Sequence, residues 1–209
     1  MAQDPPPRRY TSLHRTNQAH QTRAEIAAAA RRLFLERGWA GTTVRDVARE
    51  AGVAVPTVYA AYQNKTGLAW ALADAANLTA DLPRQIDELE STTDPRRHLA
   101  AMAAYDRRAF ETSGDLITVL RDAGRTEPDL ADLYLRARLG ADQTRLEVFT
   151  SWPDGTLRAG LDVPTATDIY AALCNIDVYT TLTAERGWTP ERIERWWADA
   201  LARELLASA

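Results

Sequence analysis

The chain has 209 residues and a net charge of −4, and its hydrophobic fraction of 45 % can supply a sizeable core, which argues against global disorder. Its single cysteine excludes an intramolecular disulfide and a cysteine-based zinc site, and no apolar run is long enough to span a bilayer. Residues 1–70 hold ten basic and five acidic side chains, whereas residues 71–209 hold fifteen basic and twenty-four acidic ones. The N-terminal part of this acidic protein is therefore basic, as expected for a segment that contacts phosphate.

An N-terminal arm and one long helix are the first predicted elements. Residues 1–17 are rich in proline and polar side chains and lack the apolar core of a signal peptide, so we expect a flexible arm and a cytoplasmic protein. Apolar side chains recur at helical spacing from Ile26 to Phe34. This spacing predicts a helix that begins at residue 18 or 22 and ends at Arg37.

Residues 42–59 predict two short helices joined by a tight turn. Thr42 or Thr43 can cap the first of these helices, and the second would run from Val55 to Gln63 with a proline in its first turn. The small residues at positions 48 and 52 predict a close approach of the two helices. The pattern is a helix-turn-helix, a unit that places its second helix in the major groove of DNA.

The remaining pattern is helical to the C-terminus. It predicts helices over residues 66–80, 83–90, from Asp94 to beyond Phe110, from Gly114 through Leu120, over 128–150, over about 20 residues after Pro164, and from Pro190 to about Ala207. The last two helices carry apolar side chains on more than one face. A helix of this kind needs two partners, which favours a four-helix dimer interface built from the pair in each subunit.

The N-terminal motif resembles the signature of TetR-family transcriptional regulators. The matching residues are Arg23, Ile26, Ala30, Leu33, Phe34, Gly38, Gly41, Thr42, Thr43, Val44, Asp46, Val47, Ala48, Ala51, Gly52, Val53, Thr57, Val58, Tyr59, Asn64, Lys65 and Leu68. The resemblance implies an all-α homodimer of about nine helices per subunit. It further implies a repressor that binds a palindromic operator and is released by a small molecule. The DNA-binding head would span residues 18–66, and the ligand-binding and dimerisation domain residues 67–209.

The resemblance also assigns roles at the DNA interface. The predicted contacts to double-stranded DNA are Thr43, Val55, Pro56, Thr57, Tyr59, Ala60 and Lys65. Tyr59, Lys65 and Thr43 would face phosphates, whereas the start of the third helix would face base edges. Small side chains on that helix predict thin base readout, with DNA shape supplying more of the specificity. The arginines of the arm would either enter a minor groove or remain solvated.

Large or polar residues on the C-terminal helices are the candidate ligand contacts, although each could instead be ordinary core. They are Trp70, Asn77, Met102, Tyr105, Asp106, Phe110, Tyr134, Trp152, Tyr170, Cys174, Asn175 and Asp177. Aromatic walls with few polar groups suit a small apolar or aromatic effector. Asn175 or Asp177 could equally form bonds across the dimer interface.

Two other functional classes are weighed against a regulator. An enzyme is not expected, because the three histidines are scattered and form neither a triad nor a metal cluster, and no cofactor is implied. A helical small-molecule-binding or scaffolding protein with weak or lost DNA binding is the alternative, favoured only by Ala60 and Ala61, where many family members carry larger side chains.

Overall fold

The computed structural model describes the backbone of residues 9–79 and 82–207 and the side chains of residues 18–73 and 83–207. The fold is all-α, as predicted. The helices are α1 (Arg9–Arg37), α2 (Val44–Glu50), α3 (Val55–Tyr62), α4 (Lys65–Thr79), α5 (Leu82–Glu90), α6 (Pro95–Ala123), α7 (Pro128–Thr150), α8 (Val163–Leu173), α9 (Ile176–Thr180) and α10 (Pro190–Leu205). A π-helical turn, Thr181–Glu185, follows α9. The chain divides into two compact units, Met1–Leu72 and Ala73–Ala209, with their boundary within α4, where the sequence-based boundary after residue 66 also falls.

The N-terminal helix is longer than the sequence pattern predicts. It begins at Arg9, so residues 9–17, which we expected in a flexible arm, are helical; residues 1–8 lie outside the described residues. The last proline before the helix is Pro7, and neither proline nor glycine follows until Gly38. Because polar residues such as arginine and glutamine are good helix formers, the absence of apolar periodicity did not prevent this segment from being helical.

One core holds the N-terminal unit together. Ile26, Ala30 and Phe34 of α1 are fully buried, as are Val47 of α2 and Leu68 of α4. The three α1 residues are four positions apart and therefore lie on one helix face. Packing of that face fixes the short helices α2 and α3, which could not be stable alone.

The C-terminal unit is arranged around α6, which packs against α5, α7, α9 and α10. Asp94 caps α6 by accepting a hydrogen bond from the N–H of Arg96 at 2.9 Å, as predicted. The predicted new helix at Gly114 is wrong, because α6 continues through that position to Ala123. Gly114 serves packing instead: a Cβ there would lie 3.0 Å from Cδ1 of Ile176.

The predicted 20-residue helix after Pro164 is interrupted. It ends at Leu173, and Cys174 has φ −98° and ψ 74°, outside the helical region. Asn175 then caps α9, because its Oδ1 accepts from the N–H groups of Asp177 and Val178, both at 3.0 Å. Asparagine competes well for backbone hydrogen bonds in this way, which accounts for the break that apolar periodicity did not reveal.

The part of the chain that the structure describes contains neither a membrane-spanning helix nor a cluster of metal-binding side chains. None of its helices combines the length and the apolar character needed to cross a membrane. Within the same residues, no three side chains of histidine, cysteine, aspartate or glutamate gather where they could bind a metal ion.

Candidate nucleic-acid interface and ligand cavity

The helix-turn-helix begins with a reciprocal cap on α2. The Thr43 hydroxyl accepts from the N–H of Asp46 at 3.1 Å, and the Asp46 carboxylate accepts from the N–H of Thr43 at 3.1 Å. The Thr43 hydroxyl also donates to the Asp46 carboxylate at 2.6 Å, and this bond, together with the one from the Thr43 N–H, lowers the pKa of Asp46. Thr42 is not the cap; it is buried, with its hydroxyl 3.0 Å from the carbonyl oxygens of Leu33 and Gly38.

The turn between α2 and α3 depends on Gly52, for a reason other than the one predicted. We expected a close helix approach at this position, but a Cβ on Gly52 would meet nothing within 4 Å. The residue has φ +68°, in the left-handed region where glycine carries no steric cost. Ala48 of α2 and Val58 of α3 are buried, and the two helices pack against each other.

One face of α3 is open to solvent. Pro56, Tyr59 and Ala60 are exposed, and their spacing of three and four residues puts them on the same face. Val55 and Thr57 are half-buried in the first turn. Ala54 provides no side-chain cap, as its residue type predicts. In the first turn Pro56 has no N–H group, and the N–H of Thr57 donates to the carbonyl oxygen of Ala54 at 2.9 Å.

Lys65 has intramolecular partners. Its Nζ donates to the carbonyl oxygen of Trp39 and lies 4.0 Å from the centroid of the Trp39 ring. The side chain is half-buried. The ammonium group therefore stabilises the end of α1 and the start of α4, and its predicted phosphate contact stays a prediction.

Arg45 is a possible DNA contact that the resemblance did not assign. It is exposed on the first turn of α2, and no side chain among residues 18–73 forms an ion pair with it. Its neighbour Arg49, also exposed, donates to Asp46 at 2.5 Å. The sequence shows that Arg45 carries a positive charge near the start of α2. It does not show that the Arg45 side chain is exposed or unpaired.

The C-terminal unit contains a cavity of about 480 Å³ between its helices. Its described lining residues are Ala73, Gln85, Met102, Tyr105, Asp106, Ala109, Phe110, Leu116, Ile117, Leu120, Leu133, Tyr134, Arg136, Ala137, Arg138, Gly140, Ala141, Thr144, Arg145, Tyr170, Ala171, Cys174, Asn175 and Ile176. Most of the lining is apolar or aromatic. The interruption between α8 and α9 forms part of this wall.

A buried ionic cluster lies in the cavity wall. Oδ2 of Asp106 accepts from the Tyr170 hydroxyl at 2.9 Å and from Nη2 of Arg145 at 3.2 Å. Nη1 of Arg145 donates to Asp142 at 2.6 Å, and the guanidinium lies 4.4 Å from the centroid of the Tyr170 ring. Burial raises the pKa of Asp106, and the charge of Arg145 opposes that rise. Burial and the Asp106 carboxylate raise the pKa of Tyr170 well above its usual value, so its hydroxyl remains a donor.

The cavity brings together eight of the twelve candidate ligand contacts. They are Met102, Tyr105, Asp106, Phe110, Tyr134, Tyr170, Cys174 and Asn175. Burial raises the pKa of the Cys174 thiol well above its usual value, so the thiol is protonated and unreactive.

The other four are placed elsewhere or not described. Trp152 does not line the cavity; its indole N–H donates to Nδ1 of His98 at 2.9 Å in the core. Asp177 is exposed and forms an ion pair with Arg121. Trp70 belongs to the N-terminal unit and is not a lining residue, and the side chain of Asn77 lies outside the described residues.

Two important polar lining residues were missed. Gln85 on α5 and Arg145 on α7 are buried, with 6 % and 8 % exposure. Glutamine and arginine usually lie at the surface, and both helices also carry exposed charged residues. The sequence pattern therefore could not distinguish these two buried residues from the exposed polar ones.

Comparisons with known proteins identify the N-terminal segment. Residues 26–72 match the family described as bacterial regulatory proteins, tetR family. A segment of 78 residues is 41 % identical to the HTH-type transcriptional regulator TtgR of Pseudomonas putida, and it is 37 % of this chain and 37 % of that protein. The same identity and coverage hold for the probable HTH-type transcriptional regulator ArpR, also of Pseudomonas putida.

Solved structures extend the similarity to the fold of the whole chain. Native NalD of Pseudomonas aeruginosa, the secondary repressor of the MexAB-OprM multidrug efflux pump, superposes with a TM-score of 0.70 and 23 % identity over 90 % of this chain and 98 % of that one. A putative transcriptional regulator from Saccharomonospora viridis in complex with choline gives a TM-score of 0.71 at 20 % identity, with the same coverage. At these identities the likeness establishes the fold.

Proposed function

Because residues 26–72 match the tetR family of bacterial regulatory proteins, we propose that this chain is a DNA-binding transcriptional repressor controlled by a small molecule. The observation that carries this proposal is the solvent-open face of α3 on a helix-turn-helix fixed by its core. The matched segment contains this DNA-binding motif, so a small-molecule-binding protein without DNA affinity is not favoured. The relatives are regulators and give no indication of an enzyme. Such a repressor works in the cytoplasm, where the chromosome lies.

The DNA contacts divide into base-facing and phosphate-facing groups. Val55, Pro56, Thr57 and Ala60 offer small, mostly apolar surfaces at the start and middle of α3, suited to thymine methyl groups. The exposed side chain of Tyr59 and the charge of Arg45 would contact phosphates. Thr43 and Lys65 would join them only by leaving their contacts with Asp46 and Trp39. Thin direct readout leaves DNA shape as the main source of specificity.

A homodimer on an inverted-repeat operator completes the proposal. Two recognition helices spaced about one helical turn of DNA apart require a twofold symmetric protein. Half-buried apolar side chains on the final helices, including Ile169, Leu173 and Trp196, support an interface there. Light scattering coupled to size-exclusion chromatography tests the stoichiometry; a monomer at the concentrations that bind DNA would contradict this part of the proposal.

The cavity of the C-terminal unit is the proposed effector site. Its volume of about 480 Å³ and its aromatic lining suit a small, largely apolar molecule. An effector can release DNA only if it binds more tightly to conformations with low DNA affinity. A hundredfold release therefore needs a difference of about 2.7 kcal/mol between its affinities for the two states.

Electrophoretic mobility shift with the DNA upstream of its own gene tests the DNA-binding function. Replacement R45Q should weaken binding to all sequences and reduce the slope of log affinity against log salt by about one. R158Q is the matched control, because Arg158 is also exposed but lies in the C-terminal unit. Absence of any shift at low salt would sink the repressor proposal, and equal slopes for both variants would refute the role of Arg45.

A further inference from the structure

Gln85 is a buried polar side chain whose amide has no hydrogen-bond partner among the described residues. It is 6 % exposed on α5 and lines the cavity. Neither a backbone group nor a side chain in the described part of the chain bonds to this amide. An amide that opens on a largely apolar cavity offers a hydrogen-bond donor and an acceptor to a molecule that occupies the cavity.

Asp106 presents a second open polar atom. Tyr170 and Arg145 both donate to Oδ2, and no described residue donates to Oδ1. The residue lines the cavity while remaining 7 % exposed. A carboxylate oxygen accepts hydrogen bonds, and one that faces a cavity rather than bulk water selects a ligand that carries a donor.

Asp106 is the only carboxylate among the described residues that line the cavity, and its partner Arg145 is shared with Asp142, which does not line it. The two carboxylates offset the charge of this buried guanidinium, so the open oxygen of Asp106 can accept from a cationic donor. Arg136 and Arg138 also line the cavity, but both are exposed, so solvent and salt screen their charges. A buried charge is screened much less, and its influence on a bound ligand is therefore larger.

Building on the effector function proposed above, we infer that the effector is an apolar or aromatic amine whose ammonium group donates to Oδ1 of Asp106 while the amide of Gln85 binds a second polar group. The aromatic rings of Tyr105, Phe110 and Tyr134 provide apolar contact and attract the positive charge through their faces. The pair of open groups makes Gln85 and Asp106 the specificity-determining residues of the cavity.

Three probes that share one apolar body test the charge preference. They are phenethylamine, phenethyl alcohol and phenylpropionate, each competing with the uncharged fluorescent dye N-phenylnaphthylamine for the full-length protein. The amine should displace the dye at a concentration at least about tenfold below that of the alcohol, with the carboxylate weakest. Equal displacement by the amine and the alcohol would overturn the inference.

Two variants assign the preference to the named atoms. D106N keeps the acceptor for Tyr170 and removes the charge, so it should weaken the amine about tenfold or more and leave the alcohol within about twofold. Q85M removes the amide without removing any hydrogen bond among the described residues; it should weaken the binding of the amine and of the alcohol alike. An unchanged affinity of folded D106N for the amine would refute the assignment. If D106N does not fold, an unchanged affinity of Q85M for the amine would refute it.

The outcome for the dye separates this inference from the proposed effector function. A109W fills the cavity and should abolish dye binding while the protein remains folded, since Ala109 lies in the cavity wall. Dye binding that A109W abolishes, without any preference for the amine, would overturn the amine and leave the effector site standing. Failure of the dye to bind the wild-type protein would overturn both.

Discussion

Replacement of Tyr170 by phenylalanine isolates one hydrogen bond of the buried cluster. The hydroxyl donates to Oδ2 of Asp106 at 2.9 Å, inside a fully buried environment. A hydrogen bond to a charged group contributes about 1.5–3 kcal/mol. We therefore expect Y170F to lower the free energy of unfolding of the C-terminal unit by that amount at neutral pH, and to lower its Tm by about 3–12 °C.

The pH dependence of Y170F distinguishes this hydrogen bond from a packing defect. The folded-state pKa of Asp106 is raised by burial, and the Tyr170 hydroxyl acts against that rise. Between the unfolded and the folded pKa of Asp106, the folded state binds more protons than the unfolded state. The free energy of unfolding therefore falls as the pH rises toward the folded pKa. Without the hydroxyl the folded pKa is higher still, and the loss of stability in Y170F should be larger at neutral pH than near the unfolded pKa of Asp106.

Urea unfolding monitored by tryptophan fluorescence at several pH values measures both quantities. Y134F is the matched control, because Tyr134 also lines the cavity but no described residue accepts a hydrogen bond from its hydroxyl. A change of less than about 0.5 kcal/mol for Y170F, within the range of ordinary surface substitutions, or a loss that is the same at every pH, would refute the role given to this bond.

Three further substitutions test other parts of the fold. T43A removes the reciprocal cap of α2 and should cost about 0.5–2 kcal/mol of N-terminal-unit stability in thermal unfolding; no loss would mean that the cap contributes nothing. G52A places a Cβ on a residue with φ +68° and should lower the free energy of unfolding by about 1–2 kcal/mol in thermal unfolding; it should also weaken DNA binding in a mobility shift. W152F leaves Nδ1 of His98 buried without its donor and should lower the unfolding free energy by about 1–3 kcal/mol, which denaturant titration would detect.

The N-terminal unit could be read largely from the sequence because its determinants are local. The cap at Thr43 involves residues three apart, and a contiguous segment carries the family pattern. The prolines in the first turns of α3, α6, α7, α8 and α10 likewise act on their own helix turn. Local rules also explain the principal errors. A glycine at position 114 resembles a helix boundary, and a polar N-terminal segment resembles an arm, because both readings depend on propensity alone.

What the sequence determined by itself is therefore the all-helical class, the helix-turn-helix and the resemblance of that segment to the TetR family. The cavity and its chemistry were decided only by the tertiary structure. Asp106 meets Arg145 across 39 residues and Tyr170 across 64, and Gln85 faces the same space from another helix. Helical periodicity specifies which residues share a face over a few turns, but the partner of that face depends on how whole helices pack, and no local spacing encodes it.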